Sequence, residues 1–145
     1  MSELVDKLSN EDIYVDTSAW FSLIYKRDKY HQETSNLYKK LLENNNRFLT
    51  TNLVIGETYT LIRYRIKENA SLAYEFLDII EDSLRINKIF VNQGIEKNAY
   101  KILRQYKENK FSYVDATSFA LMKKNNLKYA LTLDEHFSVA GFVKL

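Results

Sequence analysis

The sequence predicts an α/β fold: one domain over residues 1–145, with a central parallel sheet flanked by helices on both faces. Three observations carry this expectation. Short apolar runs alternate with longer segments of helical periodicity, the pattern of β-α-β crossovers. Two of those runs end directly in a carboxylate, Asp16 after Ile13-Tyr14-Val15 and Asp134 after Leu131-Thr132-Leu133. With 145 residues, no proline, three glycines and no repeat, the chain has the length of one domain and nothing that reads as a linker.

Residues 13–15 read as a buried strand, and Ala19, Trp20, Leu23 and Ile24 recur behind it at helical spacing. Leu37, Tyr38, Leu41 and Leu42 describe a helix over residues 32–44, stopped by Asn44-Asn45-Asn46, and residues 48–50 form the next strand. Thr51 or Asn52 is placed to cap a third helix carrying Leu53, Val54, Glu57, Tyr59, Leu61, Ile62 and Tyr64. A fourth helix covers residues 71–82, with Leu72, Phe76, Ile79 and Ile80 on one face, and residues 84–91 alternate as a strand. Ile95, Ala99, Ile102, Leu103 and Tyr106 mark another amphipathic helix, broken at 108–110, and residues 113–124 are helical again. Residues 129–133 are a second apolar strand and 142–144 a last short one. In open α/β sheets ligands collect outside the carboxyl ends of the strands, where Asp16 and Asp134 fall.

Composition narrows the chemistry. Zero cysteines exclude disulfides, thiolate zinc sites and cysteine nucleophiles. Two histidines, His31 and His136, are too few for a three-histidine metal site, so a metal would be held mainly by oxygen. A net charge of +2 from 21 basic and 19 acidic residues permits a nucleic-acid partner without indicating one. No apolar run approaches a bilayer span and the N-terminus has no apolar leader, so the expectation is a cytoplasmic protein with no membrane contact.

Four acids stand out, each with an ordinary explanation beside the functional one. Asp16 and Asp115 are placed to cap helices, and Asp134 to sit in a turn. Glu57 lies among residues that look core-facing, where a carboxylate is costly to desolvate without a cation or donor. Two acids at strand ends and two on helices beside that edge can share one cleft, where like charges repel unless cations sit between them. Oxygen ligands select Mg²⁺ or Mn²⁺, the ions that serve phosphodiester hydrolysis. Glu68, Glu75, Asp78, Glu81 and Asp82 read as a solvated helix face and its end.

These residues resemble the PIN-domain nucleases, and most closely the VapC-type toxins of prokaryotic toxin–antitoxin pairs. The resemblance rests on Tyr14-Val15-Asp16-Thr17-Ser18-Ala19-Trp20, then Asn52-Leu53-Val54-Ile55-Gly56-Glu57, then Tyr113-Val114-Asp115-Ala116, then Leu131-Thr132-Leu133-Asp134-Glu135-His136-Phe137 with Gly141-Phe142 behind it. It covers nearly the whole chain, in order. It implies a pocket binding Mg²⁺ or Mn²⁺ through Asp16, Glu57, Asp115 and Asp134, which are also the catalytic residues. Thr17, Ser18 and Thr132 are then supporting hydroxyls that orient the carboxylates or a bound water. The implied activity is cleavage of single-stranded or looped RNA by metal-assisted hydrolysis, with Asp16 and Asp115 the principal holders of the cation and Glu57 and Asp134 reinforcing. A small antitoxin and a homodimer through the helices of residues 53–64 and 72–80 are the implied protein partners. A free-standing nuclease of RNA processing or turnover, or a non-catalytic PIN-like binding module, would share the motifs. A haloacid-dehalogenase-type phosphatase would need a second aspartate at position 18, which is Ser18.

His31, in an Asp28-x-x-His31 pattern at a helix start, is expected to be structural, and His136, two residues past Asp134, is read as a surface turn in preference to a substrate contact. Lys26, Arg27, Lys29, Arg63, Arg65, Lys107 and Lys110 are candidates for guiding a phosphate backbone.

Overall fold

In the computed structural model, which describes residues 2–67 and 70–145, a five-stranded parallel sheet has the order β3-β2-β1-β4-β5. The strands are β1 (Asp12–Val15), β2 (Arg47–Thr51), β3 (Ile86–Ile89), β4 (Tyr129–Leu131) and β5 (Val143–Lys144). Ile13, Tyr14 and Val15 are fully buried, as a central strand covered on both faces requires. The helices are α1 (Ser2–Asp6), α2 (Thr17–Ile24), α3 (His31–Glu43), α4 (Asn52–Arg65), α5 (Ala70–Asp82), α6 (Gln93–Gln105), α7 (Tyr113–Lys124) and α8 (His136–Val139).

The chain steps from β1 to β2 to β3, then returns to lay β4 on the other side of β1. With right-handed crossovers this reversal puts α2 to α5 on one face and α6 to α8 on the other. It also makes the carboxyl ends of β1 and β4, paired Val15 to Leu131, the topological switch point. Asp16 and Thr132 are the residues that follow those two ends.

Local chemistry explains the boundaries. Thr51 caps α4 by accepting the Val54 amide at 3.1 Å. The Asn44-Asn45-Asn46 stop works because Asn45 takes the left-handed conformation (φ 62°) and buried Asn46 donates its amide to the Leu8 and Glu11 carbonyls. The strand expected over 84–91 is confined to Ile86–Ile89, and Leu84 is 98% exposed at its approach. The strand expected over 129–133 ends at Leu131, which frees Thr132 to Asp134 for a loop. Helices α1 and α8 were not expected, since five and four residues are too few to display a periodicity. Glu68 lies outside the described residues. Among the described residues no helix is long and apolar enough to cross a membrane, and every buried polar side-chain atom has a partner.

Candidate active site

Asp16 occupies the N-cap position of α2, yet its side chain makes no cap hydrogen bond. The carboxylate instead accepts from Thr132 Oγ1 at 3.1 Å and from Ser18 Oγ at 3.3 Å. These hydroxyls are held in turn. Thr132 Oγ1 accepts the Asp134 amide at 3.0 Å, and Ser18 Oγ accepts the Leu133 amide at 2.9 Å. The Thr132–Asp16 and Leu133–Ser18 bonds cross from the start of α2 to the loop after β4, so the switch point is stitched through its hydroxyls. Asp16 is 4% exposed, and burial pushes its carboxyl up to about 6. The Thr17 amide and the Thr132 hydroxyl pull it down, while the charges of Asp115 and Asp134 push it up.

Glu57 sits on α4 and corrects the sequence expectation: it is exposed, not core-facing. Its neighbours Val54, Ile55 and Thr58 are buried, but at position 57 the helix turns toward solvent. Thr17 Oγ1 donates to Glu57 Oε1 at 2.6 Å, bringing Glu57 beside the residue that follows Asp16.

Asp115 is the third residue of α7 and closes a reciprocal cap with Ser112. Its Oδ2 accepts the Ser112 amide at 3.1 Å, and its own amide donates to Ser112 Oγ at 3.0 Å. The same Oδ2 lies 3.2 Å from Nδ1 of His136. Asp134 Oδ1 accepts the His136 amide at 2.9 Å and lies 3.6 Å from Nδ1. Ligand-capable atoms of Asp115, Asp134 and His136 all fall within 4.8 Å of one another. His136 is thus no bystander on a surface turn: it opens α8, half-buried, between two of the four acids. Sequence reasoning missed it because the contact to Asp115 spans 21 residues and follows from no local pattern.

Beneath the site the buried hydroxyl of Tyr14 donates to Ser118 Oγ at 2.6 Å. Burial, reinforced by the charges of Asp16 and Glu57, pushes the phenol far above its ordinary range and keeps it neutral. His31 lies elsewhere in the hydrogen-bond network, its Nδ1 2.7 Å from the Ser22 carbonyl, and Asp28 accepts the Tyr30 amide. Among the expected phosphate guides, Arg63 bonds the Tyr59 and Tyr74 hydroxyls, Arg65 stands over the Phe21 ring and Lys29 over Tyr30.

Among the described residues no lysine or arginine is paired with Asp16, Glu57, Asp115 or Asp134. A group of acids in which the charges of Asp115 and Asp134 raise the proton affinity of Asp16, with only hydroxyls, amides and one imidazole for partners, is a donor set that fits a small divalent cation. Such a set can hold the cation by oxygen and present it to a phosphate.

The family model for the PIN domain matches residues 13–143. The chain is 34% identical over 133 residues to the 23S rRNA-specific endonuclease VapC20 of Mycobacterium tuberculosis, covering 92% of this chain and 97% of that protein. It is 27% identical over 127 residues to a VapC ribonuclease of Archaeoglobus fulgidus, covering 86% and 78%. Its fold matches the crystal structure of M. tuberculosis VapC20, described as a sarcin–ricin loop cleaving toxin, with a TM-score of 0.83 at 33% identity over 92% of this chain and 98% of that one. A more distant match, to VapBC2 of Rickettsia felis at 16% identity and TM-score 0.68 over 92% and 97%, bears on the fold alone.

Proposed function

The chain belongs to the PIN-domain family, and on that premise we propose that it is a divalent-cation-dependent endoribonuclease of the VapC toxin type, acting in the cytoplasm on looped or single-stranded RNA. The observation that carries the reading is Asp16: a buried carboxylate at the switch point, oriented by Ser18 and Thr132, faced by Asp115 and Asp134 and lacking any basic partner among the described residues. A helix cap needs none of this. The identity to VapC20 over most of both chains supports RNA as the substrate class, with ribosomal RNA the first substrate to test.

Bound Mg²⁺ or Mn²⁺ supplies activation of water and neutralisation of charge at phosphorus. Asp16, Glu57, Asp115 and Asp134 are the residues proposed to hold it. Ser18 and Thr132 keep Asp16 in one rotamer, Thr17 keeps Glu57 turned toward the same edge, and Ser112 fixes Asp115 from behind. Held in advance, these carboxylates need no rearrangement as charge develops on the phosphate. EDTA should abolish cleavage of a structured RNA, and Mg²⁺ or Mn²⁺ should restore it; full activity in chelator would exclude the cation role.

A toxin of this kind needs a silencing partner, and a small antitoxin that fills the acidic cleft is the one proposed. The chain is also proposed to form a C₂ dimer. Leu53, Leu61 and Tyr64 of α4 and Tyr113 and Val114 of α7 line an open apolar groove of about 520 Å³, and Tyr64, Tyr74 and Ile79 stay exposed. Light scattering at tens of micromolar, on the order of a weak-dimer test, should give twice the chain mass. A monomer there would remove this part of the proposal.

A further inference from the structure

His136 is a polar side chain at the candidate site that none of the roles above uses. Its backbone amide donates to Asp134 Oδ1 at 2.9 Å, and its Nδ1 lies 3.2 Å from Asp115 Oδ2. A carboxylate can only accept, so Nδ1 carries the hydrogen and donates. One residue therefore engages one oxygen of each of two acids that come from different elements, the first turn of α7 and the loop after β4. Among the described residues Asp115 Oδ1 and Asp134 Oδ2 have no hydrogen-bond partner.

The ring is itself fixed. Phe111 meets it edge to face at 5.1 Å, and Phe111 packs on buried Phe119 at 5.0 Å, so the imidazole is braced against the core rather than swinging in solvent. Side-chain exposure of 35% leaves it reachable from the cleft, yet its inner nitrogen is committed to Asp115.

We propose that His136 is a positioning residue, which clamps Asp115 through its imidazole and Asp134 through its backbone amide so that each aspartate turns its other oxygen toward the cation. The proposal rests on the cation-dependent reading above and adds a residue to it. Physically, a donor between two acids offsets their repulsion and fixes their separation before any ion arrives, the work done elsewhere by partners one step removed from a metal.

The test is Mn²⁺ binding to the full chain by isothermal titration without RNA, joined to steady-state cleavage. His136→Phe keeps the packing on Phe111 but has no donor, and it should weaken Mn²⁺ binding by roughly 10–100-fold. His136→Ala should do the same. His136→Asn, whose amide nitrogen reaches the place of Nδ1, should retain most of the affinity. At saturating Mn²⁺ the KM for RNA should be unchanged in all three, and lost activity at low Mn²⁺ should return as the ion is raised. Three results would overturn the proposal. They are a Phe variant that binds Mn²⁺ like the parent, a raised KM for RNA with Mn²⁺ affinity intact, and a nitrogen directly coordinated to Mn²⁺ in the spin-echo spectrum of the parent protein. A parent chain that binds no Mn²⁺ would instead overturn the cation reading itself, and this role with it.

Discussion

Asp16 and Asp115 each stand at the start of a helix, and in the sequence they look alike. In the structure they are opposites. Asp115 does the ordinary work of its place, exchanging hydrogen bonds with Ser112 at the first turn of α7, and is partly open to water. Asp16 holds the cap position of α2 without capping, is buried, and spends Oδ2 on two hydroxyls, Ser18 in α2 and Thr132 in the loop after β4. One acid is stabilised by where it sits, and the other is held in place at a cost, with its carboxyl pushed up to about 6. A site residue thus shows itself by the local role it declines: a carboxylate kept in an unfavourable place by second residues is kept for something else.

Variants at Asp115, Asp16 and Ser112 test that contrast. A large effect is expected at Asp115, whose replacement Asp115→Asn should cut RNA cleavage by more than about 100-fold, since even groups one step removed from a metal are worth ~10–100-fold. Its stability should fall by only a few tenths of a kcal/mol, because Asn still accepts the cap hydrogen bond. Retained cleavage would return Asp115 to a purely structural role.

Next comes pH. In the metal-free protein Asp16 binds its proton more tightly folded, at about 6, than at its ordinary value of 3.8. Its contribution to stability is full below about pH 4 and is lost as pH rises through about 6, the unfolded state having released its proton first. The loss is at most ~3 kcal/mol. Chemical denaturation of the parent protein and of Asp16→Asn across pH 4 to 7 isolates it: the difference between the two should grow with pH. A flat difference would mean that Asp16 ionises freely.

The smallest effect belongs to Ser112→Ala, which removes one half of the reciprocal cap. It should cost ~1 kcal/mol of stability by thermal melting and leave Asp115 less well aimed. A melting temperature unchanged from the parent would show that the cap contributes nothing.

Much of this was legible beforehand, and the limits are instructive. β1, α7 and the Thr51 cap follow from apolar runs and side-chain chemistry that act within a few residues. Ser18 and Thr132 were read as orienting hydroxyls from the family resemblance alone; the structure shows the two of them 3.2 Å apart on Asp16. Glu57 is exposed although its flanks look core-facing, because the flanks of a helical position do not tell which way that position turns. The surface turn expected for His136 omits its tie to Asp115, which exists only once α8 and α7 have packed. Periodicity reports a residue's own element and is silent on which other element will meet it.

The measurement that bears most directly on the account is cleavage and thermal melting of Asp16→Asn, made on one preparation. The account predicts that cleavage in Mn²⁺ is lost while the metal-free melting temperature at neutral pH stays level or rises, because a buried, repelled charge has gone. Cleavage that survives the substitution would contradict it and leave Asp16 an ordinary residue at the start of α2.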